Sequence, residues 1–181
     1  IRGLTVASII SVYLLFNDKI DFIKNLLAFD KTTIVGGLLL TSTFIGFIYS
    51  ITNTTAAVTL LMFALIPFLA SIIAFILIKE KISKKNLIAM LIALSGVIIM
   101  VFQGKITGSL FGLITGLIAS IGFAGFTVML RKKNDLKKFY ILVYAGIFCA
   151  IFSFVILMVL QGSIYIPIKN ILLSILHGTI V

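Results

Sequence analysis

Between Lys31 and Lys79 the chain carries 47 consecutive residues without a charged side chain. As one helix this run would be about 70 Å long, more than twice the roughly 30 Å thickness of the hydrocarbon layer of a bilayer. The run must therefore fold back once. Its only polar cluster is Thr52–Thr55, so we expect the reversal there, between a span at Thr32–Ile51 and a span at Ala56–Ile78.

The composition indicates the surroundings of these spans. Hydrophobic residues make up 61% of the 181-residue chain and charged residues 11%, against about 45–50% and about 25% in soluble globular domains. A soluble domain of this length must still cover a wide surface with polar groups. The composition therefore excludes a soluble enzyme, a disordered chain and a fibrous repeat, and it indicates an integral membrane protein.

Other apolar runs are also long enough to cross a bilayer, and each can satisfy its own backbone there only as a helix. They are Asn86–Gly104, Ile106–Leu130 and Phe139–Ile168, with a break in the last expected at Gln161-Gly162-Ser163. The apolar runs at the two ends, Gly3–Phe16 and Asn170–Val181, are shorter. Because Ile1 is not a start residue and the last run is too short to cross, we expect a fragment cut at both ends.

The basic residues predict the orientation of the spans. Twelve of the fifteen lysines and arginines lie in three alternate connections, Asn17–Lys31, Lys79–Lys85 and Arg131–Lys138. The connections on the other side carry only Lys105 and Lys169. Since cytoplasmic loops of membrane proteins carry an excess of Lys and Arg, the three basic loops are predicted to be cytoplasmic in the cell (inner) membrane. The net charge of +10 then needs no nucleic acid to explain it.

No catalytic pattern accompanies these spans. The sequence has no HExxH or GxSxG motif, no pair of intramembrane aspartates and no P-loop, the patterns of the common hydrolases and nucleotide-binding proteins. We therefore expect no enzyme, no cofactor and no metal site. Two roles are equally compatible with the lone histidine, His177: it lines a polar cavity, or it makes a hydrogen bond between two helices. Cys149 lies in an apolar run, where we interpret it as a small packed side chain.

Small residues recur every four positions along one span, at Gly108, Gly112, Gly116, Ser120 and Ala124. This spacing lets two helix backbones approach closely, so we interpret it as a packing seam; the alternative is a helix that rocks during transport. Pro67 lies in the middle of another span, where it removes a backbone hydrogen bond and kinks the helix. Such breaks often flank the substrate site of a transporter, and plain packing kinks are about as common.

Several of these residues together resemble a known family, the EamA transporters of the drug/metabolite transporter superfamily. The residues similar to the first EamA repeat are Asn53–Ala57, Pro67, Lys79–Ser83 and Gly96-Val97. The stretch Phe123–Arg131 resembles the first helix of the second repeat. Three positions depart from the family pattern: Lys79 and Ala89 stand where the family often has Gly, and Phe123 stands where Trp is frequent.

The resemblance implies a fold of ten helices in two five-helix repeats, which insert with opposite topology. The expected fold class is an all-α membrane protein, a polytopic helical bundle with inverted five-helix repeats that is incomplete at both ends. Residues 1–104 would form most of the first repeat (helices two to five), and residues 105–181 would form the start of the second (helices six to early eight). The three basic loops would then follow helices two, four and six, all on the cytoplasmic side. Glu80 would be a charged anchor at a helix end or part of a gating salt bridge.

The function that the resemblance implies is secondary-active transport or export of a small metabolite or drug-like molecule, by alternating access at a midplane cavity between the repeats. No complete span contains an ionisable residue, although such residues usually mark ion or proton pathways. A neutral cavity suits an uncharged, zwitterionic or amphipathic cargo, moved by exchange or facilitated diffusion. The expected partners are a small-molecule substrate and the lipid bilayer, and a homodimer is compatible with the sequence.

Two other classes of function stay open. A passive channel would need a lining of repeated polar or charged rings, which the sequence lacks. A structural membrane scaffold without cargo is the second.

The candidate substrate-binding residues are mid-span phenylalanines and hydroxyls, because transporter sites lie near the bilayer midplane and small-ligand pockets are mostly apolar with few polar groups. They are Thr41, Phe44 and Ile48 on helix three, Thr59 and Phe63 on helix four, and Phe123 and Thr127 on helix six. Each threonine could instead bond its own helix backbone. The residues expected to have structural roles are Pro67, Glu80, Gly96, Gly108, Gly112 and Gly116.

Overall fold

The structure is a computed structural model that describes residues 2–18, 30–80, 83–102, 109–132 and 135–161, together with Leu172. The regular elements of these residues are helices, as the sequence predicts. They are α1 (Arg2–Asp18), α2 (Lys31–Asn53), α3 (Ala56–Ala64), α4 (Ile66–Ile78), α5 (Lys84–Phe102), α6 (Leu110–Arg131) and α7 (Asp135–Gln161).

Among the residues that the structure describes, four segments are long and apolar enough to cross a membrane. They are Lys31–Asn53, Ala56–Ile78, Leu110–Arg131 and Lys138–Val159. Each has 22 or 23 residues, which as a helix is about 33–35 Å and matches the roughly 30 Å hydrocarbon layer with little tilt. The expectation of an all-α membrane protein with several spans is confirmed.

The reversal in the long apolar run falls at the polar cluster where the sequence predicts it. Helix α2 ends at Asn53 and α3 begins at Ala56. Thr55 between them has an extended backbone (φ −84°, ψ 153°), and its hydroxyl accepts a hydrogen bond from the N–H of Val58 at 3.3 Å. This is an N-cap, in which a side-chain oxygen satisfies one of the free N–H groups at a helix start.

The chain divides into two compact units, one formed by Ile1–Thr41 with Met129–Val181 and the other by Ser42–Val128. Helices α2 and α6 each contribute residues to both units. These units do not follow the boundary at residue 104 that the repeats imply, and the division into residues 1–104 and 105–181 stays a prediction.

In the first unit, α1 crosses α7 at two glycines. A Cβ built on Gly3 would lie 2.9 Å from the carbonyl oxygen of Gly146 and 3.2 Å from the Cβ of Cys149. A Cβ on Gly146 would in turn collide with the Gly3 carbonyl and would lie 2.7 Å from the Cβ of Ala7. The two backbones are therefore in direct contact, which only glycine allows.

Beyond this crossing, α1 and α7 pack through larger side chains. Leu14, Tyr140 and Val143 form a buried apolar cluster with Ile10 and Phe139 against it. The first part of α2 contacts the same helix α7, because a Cβ on Gly37 would lie 2.9 Å from the Cβ of Tyr144. Helix α7 thus forms the centre of this unit.

A left-handed residue ends the second arm of the hairpin. Lys79 follows α4 with φ 56° and ψ 29° and is the only non-glycine residue with positive φ among those described. The N–H groups of Lys79 and Glu80 both reach back to the carbonyl of Ala74, that of Glu80 at 3.4 Å, so the left-handed residue ends the helix and satisfies one of its last carbonyls. A left-handed backbone conformation favours glycine, because glycine has no Cβ. This is the physical reason why the EamA family often has Gly where this chain has Lys79.

Replacing Lys79 with glycine is expected to raise the free energy of unfolding by about 1 kcal/mol, because the left-handed conformation strains any residue with a Cβ by about that amount. The measurement is thermal unfolding in detergent. The matched control is Lys79→Ala, which removes the same charge and keeps the Cβ, and which should bring no gain. Equal stabilisation by the two variants would attribute the effect to charge and contradict the prediction.

Candidate functional site

The second arm of the hairpin is interrupted in its middle. Helix α3 ends at Ala64 and α4 begins at Ile66, and the N–H of Leu65 between them bonds the carbonyl of Met62 at 3.2 Å. Pro67 lies in the first turn of α4 and has no N–H to continue the regular helix. A helix broken at membrane depth is a common element of transporter substrate sites.

A hydroxyl from α6 is bonded at this break. The Oγ of Ser120 donates to the carbonyl of Met62 at 2.7 Å and lies 3.0 Å from the carbonyl of Gly116 in its own helix. Ser120 is completely buried. The break in the hairpin arm and the middle of α6 are therefore held together by a buried polar contact.

A cluster of three hydroxyls closes the hairpin near its turn. The Oγ of Ser50 lies 3.0 Å from the Oγ1 of Thr59, which lies 3.1 Å from the Oγ1 of Thr54. Thr54 also donates to the carbonyl of Ser50 at 2.7 Å. Ser50 and Thr59 are completely buried. The structure thus places the candidate residue Thr59 in a closed network that joins α2 to α3.

The other two candidate threonines also bond to protein carbonyls. Thr41 is 2% exposed and lies 2.9 Å from the carbonyl of Gly37 and 3.0 Å from that of Ala145 on α7. Thr127, which is half-buried, donates to the carbonyl of Ala124 at 2.7 Å. In the part of the chain that the structure describes, every buried side-chain nitrogen or oxygen has a hydrogen-bond partner.

The candidate phenylalanines form aromatic pairs. Phe63 packs against Phe47 with ring centroids 5.2 Å apart, and Phe123 packs against Phe126 at 5.9 Å. Phe63 directly follows Met62, and Phe123 lies three residues after Ser120, so both half-buried rings are close in sequence to the contact at the helix break.

The candidates Phe44 and Ile48 on α2 are exposed, with 38% and 57% of their surface accessible. The face of α2 that packs inside the second unit instead carries Thr43, Gly46 and Ser50, which are buried. Sequence reasoning missed these residues and Phe47. Their three-and-four spacing along α2 is the signal that could have found them, because it places small and polar residues on one helical face.

The small residues of α6 lie against the hairpin. A Cβ on Gly112 would lie 2.5 Å from the Cγ2 of Thr54 and 3.0 Å from the Cβ of Asn53. A Cβ on Gly116 would lie 2.7 Å from the Oγ of Ser50. Close approach of α6 to the end of α2 therefore requires glycine at both positions.

Two other residues with expected structural roles, Gly96 and Glu80, are exposed. No described atom lies within 4 Å of a Cβ built on Gly96. Glu80 is exposed directly after the left-handed residue that ends α4. Gly108 and His177 lie outside the described residues. Among the residues that are described, no three metal-binding side chains cluster together.

Comparison with known proteins identifies the family. The model of the EamA-like transporter family matches residues 3–102, more than half of the 181-residue chain. The match includes α2 to α5 and nearly all of α1. No curated protein and no solved structure matches the chain. With its apolar membrane-length helices and broken hairpin arm, the chain belongs to the EamA-like transporter family.

Proposed function

We propose that this protein is a secondary-active transporter or exporter that moves a small metabolite or drug-like molecule by alternating access at a cavity near the bilayer midplane. Membership of a transporter family supports the general class. The observation that carries the position of the cavity is the break at Leu65 in the middle of a membrane-length segment. Discontinuous helices in transporters typically form the substrate site between the repeats.

The charge distribution supports a neutral cargo. The uncharged runs that contain α3, α4 and most of α2, α6 and α7 offer phenyl rings, hydroxyls and backbone groups to a ligand. A carboxylate proton relay would need acidic residues at membrane depth. The cargo is therefore an uncharged, zwitterionic or amphipathic small molecule, moved by exchange or facilitated diffusion.

The proposed lining centres on Phe63 and Phe123, with Phe44, Ile48, Thr59 and Thr127 as further members. Phe63 and Phe123 are half-buried, so each ring keeps surface that a ligand could cover. Both lie within one helical turn of the contact between Met62 and Ser120. A mostly apolar pocket with few polar groups is the usual environment of a small ligand.

The protein is proposed to lie in the cell (inner) membrane with its basic loops in the cytoplasm. Lys79, Lys84, Lys85, Arg131 and Lys132 are exposed in the structure, and basic loops of membrane proteins remain on the cytoplasmic side. This orientation places the Thr54–Thr55 turn on the outer side of the membrane.

Removing the ring of Phe123 is expected to reduce transport at least tenfold while leaving folding intact, because a half-buried ring contributes ligand contacts without filling the core. The measurement is uptake of a panel of labelled zwitterionic amino acids and uncharged nucleosides into proteoliposomes containing the complete protein. The matched control is Phe75→Ala, which removes a ring that is 57% exposed on α4 and should leave transport unchanged.

The outcomes of this uptake assay separate the candidate functions. Wild-type rates in Phe123→Ala would remove this residue from the site. Uptake without saturation or counterflow would indicate a passive channel, because a channel has no alternating step. Absence of uptake for the whole panel by the wild-type protein would favour the membrane scaffold.

A further inference from the structure

Hydrogen bonds and close backbone contacts connect helix α6 to the α2–α4 hairpin within the unit Ser42–Val128. Under the proposed division at residue 104, the hairpin belongs to the first repeat and α6 to the second. A transporter whose two repeats rock against each other would have to separate these helices. The contacts between them therefore indicate which parts of the protein can move.

Hydrogen bonds join α6 to the hairpin at three levels. Near the turn, the N–H of Ser109 donates to the carbonyl of Asn53 at 3.0 Å. In the middle, the hydroxyl of Thr43 donates to the carbonyl of Ala119 at 3.2 Å. At the helix break, Ser120 bonds the carbonyl of Met62. The first and last of these levels are about 16 Å apart along α6.

Close backbone contacts accompany these bonds. A Cβ on Gly46 would lie 2.7 Å from the carbonyl oxygen of Thr115, so α2 and α6 touch near the bond from Thr43. Below the helix break, Ala70 and Ala74 of α4 form a buried cluster with Ala124 and Val128 of α6. Both arms of the hairpin thus pack tightly on α6 from its start to Val128.

Opening this seam inside a bilayer is unfavourable. At the depth of Thr43 and Ser120, lipid offers no hydrogen-bond partner to a separated hydroxyl or carbonyl, and a separated glycine surface loses its packing contacts, which are the main attraction between helices in lipid. A gate contact would occupy one end of a helix pair, whereas these contacts extend over both ends and the middle.

We propose that the hairpin and α6, residues 42–78 and 110–128, move as one rigid body during transport, so that α6 travels with the hairpin across the boundary between the repeats. Thr43, Ser109 and Ser120 are positioning residues that hold α6 to the hairpin. This inference rests on the proposed transport function and specifies which helices move together.

A disulfide across the seam tests the inference. The Cβ of Ser50 lies 3.4 Å from a Cβ on Gly116, at the lower edge of the range of about 3.5–4.5 Å found in disulfides. The variant is Ser50→Cys with Gly116→Cys on a Cys149→Ala background, in the complete protein in proteoliposomes. It is oxidised with copper phenanthroline, and uptake of the amino acid and nucleoside panel is measured before and after reduction with dithiothreitol.

The cross-linked protein is expected to transport within threefold of the reduced protein, because no step of the cycle separates the joined helices. A larger loss that dithiothreitol restores would overturn the inference and make the seam a moving contact. Absence of uptake by the wild-type protein would count against the proposed function instead.

A second pair keeps the test informative if the first does not fold. Ala74 of α4 and Ala124 of α6 belong to one buried cluster, and neither is a glycine or part of the hydroxyl cluster. Ala74→Cys with Ala124→Cys, joined by oxidation or by a short bifunctional methanethiosulfonate, should give the same result, and reversible arrest in this variant would overturn the inference equally.

Discussion

Replacing Gly112 with leucine is expected to lower the free energy of unfolding by about 3 kcal/mol, at the upper end of the usual effect of overpacking. The new side chain would begin with a Cβ 2.5 Å from Thr54 and 3.1 Å from the backbone carbon of Asn53. That backbone cannot retreat easily, because the carbonyl of Asn53 accepts the hydrogen bond from Ser109. The start of α6 would therefore separate from the hairpin turn.

Thermal unfolding of the purified protein in detergent measures this effect, with an expected fall in Tm of roughly 6–12 °C. The matched control is Gly96→Leu. No described atom lies within 4 Å of a Cβ on Gly96, so leucine there should leave Tm unchanged or raise it slightly through its better helix propensity. A normal Tm for the Gly112→Leu protein would show that α6 and the turn are not in close contact.

Replacing Gly146 with leucine is expected to destabilise the other unit by a similar amount, about 3 kcal/mol. A Cβ at this position collides with the carbonyl oxygen of Gly3 and lies 2.7 Å from the Cβ of Ala7. Because both obstacles are backbone or Cβ atoms of α1, no rotamer change can relieve the clash. Helix α1 would be displaced from α7, and the aromatic contact of Tyr13 with Phe139 at 5.3 Å would be lost.

The displacement of α1 can be measured directly. Limited proteolysis should cleave the first residues faster in the Gly146→Leu protein, and Tm in detergent should fall. The control is Ser153→Leu, which adds the same side chain to an exposed position of α7 and should change neither. Wild-type protection of α1 in the Gly146→Leu protein would contradict the crossing at Gly3.

The positions of the helices could be predicted from the chain alone. The reversal expected at Thr52–Thr55 falls between the end of α2 at Asn53 and the start of α3 at Ala56. A run of 47 uncharged residues is too long for one crossing, and only its polar cluster could supply the hydrogen bonds of a turn. The resemblance to EamA transporters was likewise predictable, because the residues that carry it form a local pattern, and the family match confirms it.

The faces of the helices could not be predicted in the same way. The sequence favours Phe44 and Ile48 as the functional face of α2, whereas the packed positions are Thr43, Gly46 and Ser50. In water an apolar stripe marks the buried side of a helix. A membrane span is apolar on all sides, and lipid is as apolar as the protein interior, so hydrophobic periodicity carries little information about which side packs.

The sequence by itself therefore determined which segments are helices and where the chain turns. A hydrocarbon layer of fixed thickness imposes helix length and backbone hydrogen bonding on any chain that crosses it. The sequence also determined the family, through the local pattern of residues that carries the resemblance. Only the tertiary structure decided the partners of each helix: Gly3 with Gly146, Thr43 with Ala119, and Ser120 with the carbonyl of Met62. These pairings depend on close fit and on single hydroxyl–carbonyl bonds between residues 58 and 76 positions apart. No local pattern of hydropathy or charge encodes such distant contacts.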